Sequence, residues 1–280
     1  MPDPLELFGY PVLGRLGIGA ASVIYKVREP RSSKIHALKH VVKHNEKDQR
    51  FLDQVLHEHE IGSQLDHPCI RRIGRLLKKR RMFKVVELGL LMEHVDASSL
   101  DSMPRLRTLD VVRIFTKIAE ALQAMHEKGF VHADLKPTNV LVGPNLVKVI
   151  DLGQACAIGT RKKRIQGTPG YIAPEQAHRR QITERTDVYN FGATLYWTMT
   201  RDVIPTALPP GSMDGPARSP LDPKRISAPE PLASRVPEVP NGLSELVSRC
   251  VQVSRGDRPS GMEIVISTLR EAERDLARGG

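Results

Sequence analysis

The chain has 280 residues, 40% hydrophobic and 26% charged, long enough to bury a sizeable core and to build two packed lobes. Its 42 Lys and Arg against 32 Asp and Glu give a formal net charge of +10; without a basic helix interleaved with aromatics, nucleic acid is disfavoured, and an acidic substrate, an acidic partner or anionic lipid suits the charge equally. Cys69, Cys156 and Cys250 are scattered and odd in number, which suggests neither a disulfide framework nor a zinc site and best fits a reducing cytoplasm, while Met1 to Glu6 lacks the regions of a signal peptide and no apolar run approaches membrane-spanning length.

In chain order, short apolar runs alternate with turn residues from Tyr10 to Val41 and predict antiparallel strands of a small first lobe. Within it, Leu16-Gly17-Ile18-Gly19-Ala20-Ala21-Ser22-Val23-Ile24 reads on its own as a hairpin turn or as a phosphate-binding loop. His36-Ala37-Leu38-Lys39 places a lysine on a strand, where it is either solvated or paired. Phe51 to Leu65 has helical apolar spacing and carries Glu58 and Glu60 on different faces. Lys78-Lys79-Arg80-Arg81 reads as a solvated strand connection, and Leu90 to Asp96 as an apolar strand ending in a polar turn. Val111, Ile114, Phe115, Ile118, Leu122 and Met125 predict a buried helix. Val140-Leu141-Val142 and Leu146 to Ile150, flanking Gly143-Pro144-Asn145, predict strand, turn and strand. Val203 to Pro240, crowded with prolines and broken by Gly211 and Gly215, predicts an irregular surface loop. Leu243 to Cys250 resumes helical spacing, and no internal repeat is present.

Between the buried helix and the strand pair lies Phe130-Val131-His132-Ala133-Asp134-Leu135-Lys136-Pro137-Thr138-Asn139. An acid, a lysine two residues on and an amide five residues after the acid, set between apolar flanks, are hard to explain by packing. The second strand then delivers another carboxylate in Asp151-Leu152-Gly153. His132 to Asn139 resembles the catalytic loop of the eukaryotic-type serine/threonine protein kinases, and Asp151-Leu152-Gly153 resembles their metal-binding turn. The resemblance spans about residues 10 to 270. It implies an α+β, bilobal fold within a single kinase domain over 1–280: a small β-rich N-lobe with one main helix (about 10–95), a hinge near 92–97, and a larger, mostly α-helical C-lobe (about 98–270). It also implies ATP- and Mg²⁺-dependent transfer of the γ-phosphate to Ser/Thr hydroxyls of proteins, with Mn²⁺ as an alternative metal. Such chemistry requires a carboxylate to orient the hydroxyl and accept its proton, and oxygen ligands for the metal.

Residue by residue, the resemblance makes Asp134 the base, Lys136 the cation on the transferring phosphoryl oxygens, and Asn139 and Asp151 the metal ligands. Leu16 to Ile24, namely Leu16, Gly17, Ile18, Gly19, Ala20, Ala21, Ser22, Val23 and Ile24, would cover the ATP phosphates, with Ser22 in the place of the third glycine. Ala37 would pack on adenine and Lys39 would pair with the α and β phosphates; spacing back from His67-Pro68 selects Glu58 as the lysine's partner and leaves Glu60 at the surface. Gly62, where the family packs a bulky residue, is expected to loosen the helix. Met92 would stand behind adenine, the backbone of Glu93 and Val95 would bond its edge, and Leu141 would form its floor.

Gly167-Thr168-Pro169-Gly170-Tyr171-Ile172-Ala173-Pro174-Glu175 resembles the peptide-docking segment, moving the substrate class toward protein; Thr168 would reach Asp134 and Lys136. Asp187 resembles the aspartate that holds the catalytic loop, and Arg258 the arginine that pairs with Glu175. Ala133 replaces the arginine beside the catalytic aspartate. The resemblance is therefore to the variant lacking that arginine, in which control through a phosphate on the activation loop is not expected. Arg161-Lys162-Lys163-Arg164 either attracts an acidic partner or substrate segment or is simply solvated; Thr160 is an autophosphorylation candidate. Ser22, Gly62 and Ala133 leave a nucleotide-binding pseudokinase scaffold as the alternative, opposed by intact Lys39, Asp134, Asn139 and Asp151.

Overall fold

Period-two alternation sorts the strand residues of the first hundred positions onto two faces of one sheet. The structure, a computed structural model, describes residues 3–19, 21–205 and 228–278. They form two compact units: Met1–Asp96 together with Asp151–Gly153, and Ala97–Ile150 together with Gln154–Gly280.

The first unit contains β1 (Glu6–Leu7), β2 (Tyr10–Ile18), β3 (Val23–Arg28), β4 (Ile35–Val42), α1 (Gln49–Gly62), β5 (Ile73–Arg81) and β6 (Lys84–Glu93). Its strands form an antiparallel sheet in the order β1-β2-β3-β4-β6-β5. Ala37, Val41, Leu88, Leu90 and Met92 share a core cluster with Leu52 and Val55 of α1. Leu38 and Leu91, one residue out of phase, pack instead with Tyr10, Tyr25 and Val27. Both faces are thus apolar, and the helix covers one of them.

The helix begins earlier than Phe51. Asn45 caps a 3-10 turn, Glu46–Asp48, whose Asp48 carboxylate accepts the Asn45 N–H at 3.0 Å, and the chain runs on from it into α1. It also stops at Gly62, before Leu65. The expectation that Gly62 loosens the helix is corrected here. A Cβ on Gly62 would lie 2.2 Å from Ile73 Cγ1 and 2.9 Å from Ile73 Cβ. The neighbouring strand fills the space, so the glycine is what permits the close approach.

The second unit contains β7 (Ser98–Ser99), α2 (Thr108–Glu127), β8 (Phe130–Val131), β9 (Val140–Gly143), β10 (Leu146–Val149), β11 (Cys156–Ala157), α3 (Pro174–Ala177), α4 (Glu184–Thr200), α5 (Leu232–Arg235), α6 (Asn241–Cys250) and α7 (Met262–Arg278). α2 buries Val111, Ile114, Phe115, Ile118, Leu122 and Met125, and its Phe115 meets Phe191 of α4 edge to face, with ring centroids 5.3 Å apart. α2 also packs on α7, and α4 on α6. β10, β9 and β7 form a small antiparallel sheet. In the β9–β10 turn, proline presets φ at Pro144 and Asn145 takes the left-handed conformation, φ 56°. β8 pairs with β11, Val131 opposite Cys156, which ties the start of the Asp134 loop to the segment after Gly153.

Residues 206–227, with Gly211 and Gly215, lie outside the described residues. In the described remainder of Val203 to Pro240, the chain is not irregular throughout: Leu232–Arg235 is helical, and Arg235 pairs with Asp202 and, at 3.4 Å, with Glu230. Among the described residues no disulfide joins the cysteines, and no helix is long and apolar enough to cross a membrane.

Candidate active site

In the first unit, β4 delivers Lys39 and α1 delivers Glu58. Burial settles which glutamate turns inward: Glu58 is 1% exposed, whereas the side chain of Glu60 is 74% exposed. Lys39 Nζ donates to Glu58 Oε2 at 2.7 Å and to Asp151 Oδ1 at 3.1 Å. Burial works against the ammonium, but the two carboxylates outweigh it and hold Lys39 above its ordinary range. Burial pushes Glu58 toward the neutral acid and Lys39 opposes this; with the amine between two carboxylates, the proton belongs on the lysine. Asp151 itself has a φ of 63°, a left-handed conformation costing roughly 1–2 kcal/mol outside glycine, and its side chain is 43% exposed.

The phosphate-loop candidates span the β2–β3 hairpin. Leu16 and Ile18 are 47% and 71% exposed at the end of β2. A Cβ on Gly17 would meet nothing within 4 Å. Gly19 donates its N–H to Ser22 O at 2.7 Å, and a Cβ there would stand 2.8 Å from Ser22 Oγ, so Ser22 is accommodated because Gly19 is bare. Ala21 is half-buried, Val23 and Ile24 open β3, and Ala20 lies outside the described residues. Ala37 and Met92 are fully buried opposite one another in the β4–β6 ladder. Glu93 donates its N–H to Arg72 O at 2.9 Å, so that N–H is already committed; Val95 is half-buried.

In the second unit the Asp134 loop is held from two sides. Asp187, in the first turn of α4 and fully buried, accepts the N–H groups of His132 and Ala133 at 2.9 and 2.8 Å, and lies 2.9 Å from His126 Nε2. Ala133 has a φ of 60°, a strained choice for a residue with no polar side chain to support it. Its carbonyl receives the other tie: Gln176 Nε2 donates to Ala133 O at 2.7 Å, while Gln176 Oε1 accepts from Ala173 N–H at 3.0 Å and from Asn190 Nδ2 at 3.1 Å. The peptide entering Asp134 is therefore clamped at both of its neighbours' polar groups.

On that clamped loop, Thr168 donates to Asp134 Oδ1 at 2.9 Å and accepts from Lys136 Nζ at 2.8 Å; Lys136 Nζ also lies 3.3 Å from Asp134 Oδ2. Asn139 donates Nδ2 to Asp134 O at 2.9 Å. Leu141 follows on β9, half-buried. The docking-segment residues are anchored behind these groups by Glu175 and Arg258, which form a fully buried two-pronged pair at 2.8 and 2.9 Å, with the guanidinium carbon 4.9 Å from the Tyr189 ring centroid.

The basic run is not uniformly solvated. Arg161, Lys163 and Arg164 are exposed, but Lys162 turns inward and donates to the Gln154 carbonyl, with Gln154 Oε1 at 3.4 Å. Burial lowers its pKa, opposed by Cys156 and Asp134. Thr160 donates its hydroxyl to Ala157 O at 2.7 Å. Three contributors carried no sequence signal. Gln176 and Lys162 look like ordinary polar residues in a loop-rich stretch. Arg71 reads as a surface cation, yet it is 8% exposed with its Nε unpartnered, and its pKa is lowered by burial against the charges of Glu58 and Asp151.

The protein kinase domain family matches residues 10–269. An Aurora kinase of Candida glabrata is 32% identical over 202 residues, covering 69% of this chain and 55% of that protein. The serine/threonine-protein kinase pkn3 of Myxococcus xanthus is 29% identical over 306 residues, covering 99% of this chain and 53% of the relative. The chain thus spans about half the length of these curated relatives. Among solved structures, the Mycobacterium tuberculosis PknI kinase domain (C20A mutant) shares the fold, with a TM-score of 0.69 at 22% identity over 94% of this chain and 95% of that one. With a family match over nearly its whole length, the chain belongs to the protein kinase domain family.

Proposed function

We propose that the chain transfers the γ-phosphate of ATP to serine and threonine hydroxyls of proteins in a magnesium-dependent reaction. The observation that carries this reading is the Lys136–Thr168–Asp134 constellation, in which a hydroxyl is already held between a carboxylate and an ammonium at 2.9 and 2.8 Å. Asp134 is placed to orient a substrate hydroxyl and take its proton as the oxygen attacks phosphorus and ADP departs. Lys136 steadies the phosphoryl oxygens, and Thr168 keeps Asp134 in one orientation. Lys39, held by Glu58 and Asp151 in the other unit, is suited to the α and β phosphates.

Asp151 of the first unit offers a carboxylate and Asn139 of the second an amide oxygen, each a hard oxygen donor of the type magnesium takes. When bound, the ion would neutralise charge developing on the phosphate oxygens. Relatives named as serine/threonine kinases and the anchored segment around Thr168 favour protein hydroxyls over small molecules. Because Ala133 brings no cation to the loop and the Asp187 and Gln176 clamp already fixes it, loop phosphorylation is not needed to set Asp134. The exposed Arg161, Lys163 and Arg164 favour acidic substrate segments.

Transfer from labelled ATP to acidic and basic proteins, with and without magnesium, tests the reading. Label on serine and threonine only when magnesium is present is the expected result, with Asp134→Ala lowering the rate on the order of 10²–10⁴-fold. Nucleotide binding without any transfer would instead mark a pseudokinase scaffold.

A further inference from the structure

The tip of the β5–β6 hairpin carries none of the residues assigned to phosphoryl transfer or nucleotide binding. Its ladder closes at Arg81 opposite Lys84, so Met82 and Phe83 form a two-residue tip, 92% and 96% exposed. Single exposed apolar residues need no explanation, but two large ones side by side at a protruding tip do. Turn chemistry does not supply one: Met82 has a φ of 55°, where glycine or asparagine sits with less strain. Around the tip stands a collar of exposed cations, Lys78, Lys79, Arg80 and Arg81 on β5 and Lys84 on β6. The one carboxylate between Lys78 and Glu87 is Glu87, which holds Lys79 at 2.7 Å. Five cations against that one acid leave the hairpin a net charge of +4.

We propose that this hairpin docks end-on at an anionic lipid surface, Met82 and Phe83 entering the boundary between headgroups and acyl chains and the collar pairing with lipid phosphates. The layering of the two partners matches. At about 3.3 Å per residue, Arg81 and Lys84 stand one step behind the tip and Lys78 roughly 13 Å behind Met82. Interfacial apolar side chains sit about 5–10 Å into the headgroup boundary. The cations thus fall at headgroup level, where each Lys or Arg near an anionic leaflet tightens binding about fivefold. A nucleic acid would engage the collar but offer the thioether and phenyl of the tip no apolar depth, and an acidic peptide would engage the strands rather than their end. The chain's overall charge of +10 adds attraction at a distance.

Co-sedimentation of the whole chain with vesicles tests this, using phosphatidylcholine alone and phosphatidylcholine mixed with phosphatidylglycerol. Binding to the mixed vesicles only is expected. Met82→Ser combined with Phe83→Ser should weaken it on the order of 10²-fold, and Arg80→Gln combined with Arg81→Gln about 25-fold, with thermal midpoints unchanged. Phe83→Trp should shift its emission to the blue on anionic vesicles. A chain that ignores anionic vesicles, or a double serine variant that binds them as tightly as wild type, overturns the proposal. So does tip-dependent binding to an RNA or to polyglutamate with none to vesicles.

Discussion

The glycine-rich hairpin of the first unit and the Asp134 loop of the second are held in opposite ways. Around Gly17 there is open space, and Leu16 and Ile18 stand largely in solvent. Around Asp134 almost every polar group has a protein partner: Asp187 takes two N–H groups, Gln176 supplies a carbonyl's donor, and Thr168 and Lys136 occupy the carboxylate. The difference teaches where preorganisation is needed. On the proposed function, a segment that is to wrap a large nucleotide can be completed by its ligand, whereas a base that must meet one hydroxyl has to be placed beforehand. Lys39 is an intermediate case, buried like the second site but, on the proposed function, a ligand contact like the first.

The comparison is broken most severely by removing what anchors the rigid side. Arg258→Ala leaves Glu175 buried without its partner, and a loss of about 3–5 kcal/mol in chemical denaturation is expected; an unchanged midpoint would show the second unit is not braced there. Next comes the ion pair. Two charges 4 Å apart interact by roughly 4 kcal/mol at intermediate dielectric before desolvation is counted, so Glu58→Gln should impair transfer strongly while Glu60→Gln should not. The reverse outcome would shift the register of α1.

Gln176→Leu sharpens the comparison more finely. It leaves the strained Ala133 carbonyl without its donor, and about 1–3 kcal/mol should be lost in unfolding, together with a lower turnover at unchanged nucleotide affinity. Full turnover in a folded Gln176→Leu variant would mean Asp187 alone positions the loop. The smallest contrast is between two glycines. Gly62→Ala drives a methyl into Ile73 and should cost roughly 1–3 kcal/mol. Gly17→Ala meets nothing within 4 Å and should leave stability alone while weakening ATP binding.

Much of this was legible in the residues because its causes are local or motif-like. Alternation predicted the strands from Tyr10 to Val41, helical spacing predicted α2, and the family resemblance, counted back from His67-Pro68, singled out Glu58 over Glu60. What was not legible depends on partners distant in sequence. Gly62 read as a weakness because the side chain that fills its place, Ile73, belongs to another strand. Lys162 read as one member of a charge run because nothing local announces that Gln154 draws it inward. Gln176 read as the residue after a motif, although its amide joins four parts of the second unit, and Arg71 is buried against ordinary expectation for its type. The boundaries of α1 moved because Asn45 caps a turn that periodicity does not register.

The proposed division of labour between the two units is tested most directly by measuring nucleotide affinity and phosphate transfer side by side in Lys39→Met and Asp134→Asn. Lys39→Met should lose affinity for magnesium–ATP, because the ammonium that Glu58 and Asp151 hold is the group proposed to meet the phosphates. Asp134→Asn should bind the nucleotide as wild type does and lose transfer on the order of 10²–10⁴-fold. If Asp134→Asn transfers phosphate normally, or if it loses nucleotide affinity as much as Lys39→Met, the assignment of phosphate binding to one unit and hydroxyl activation to the other is wrong.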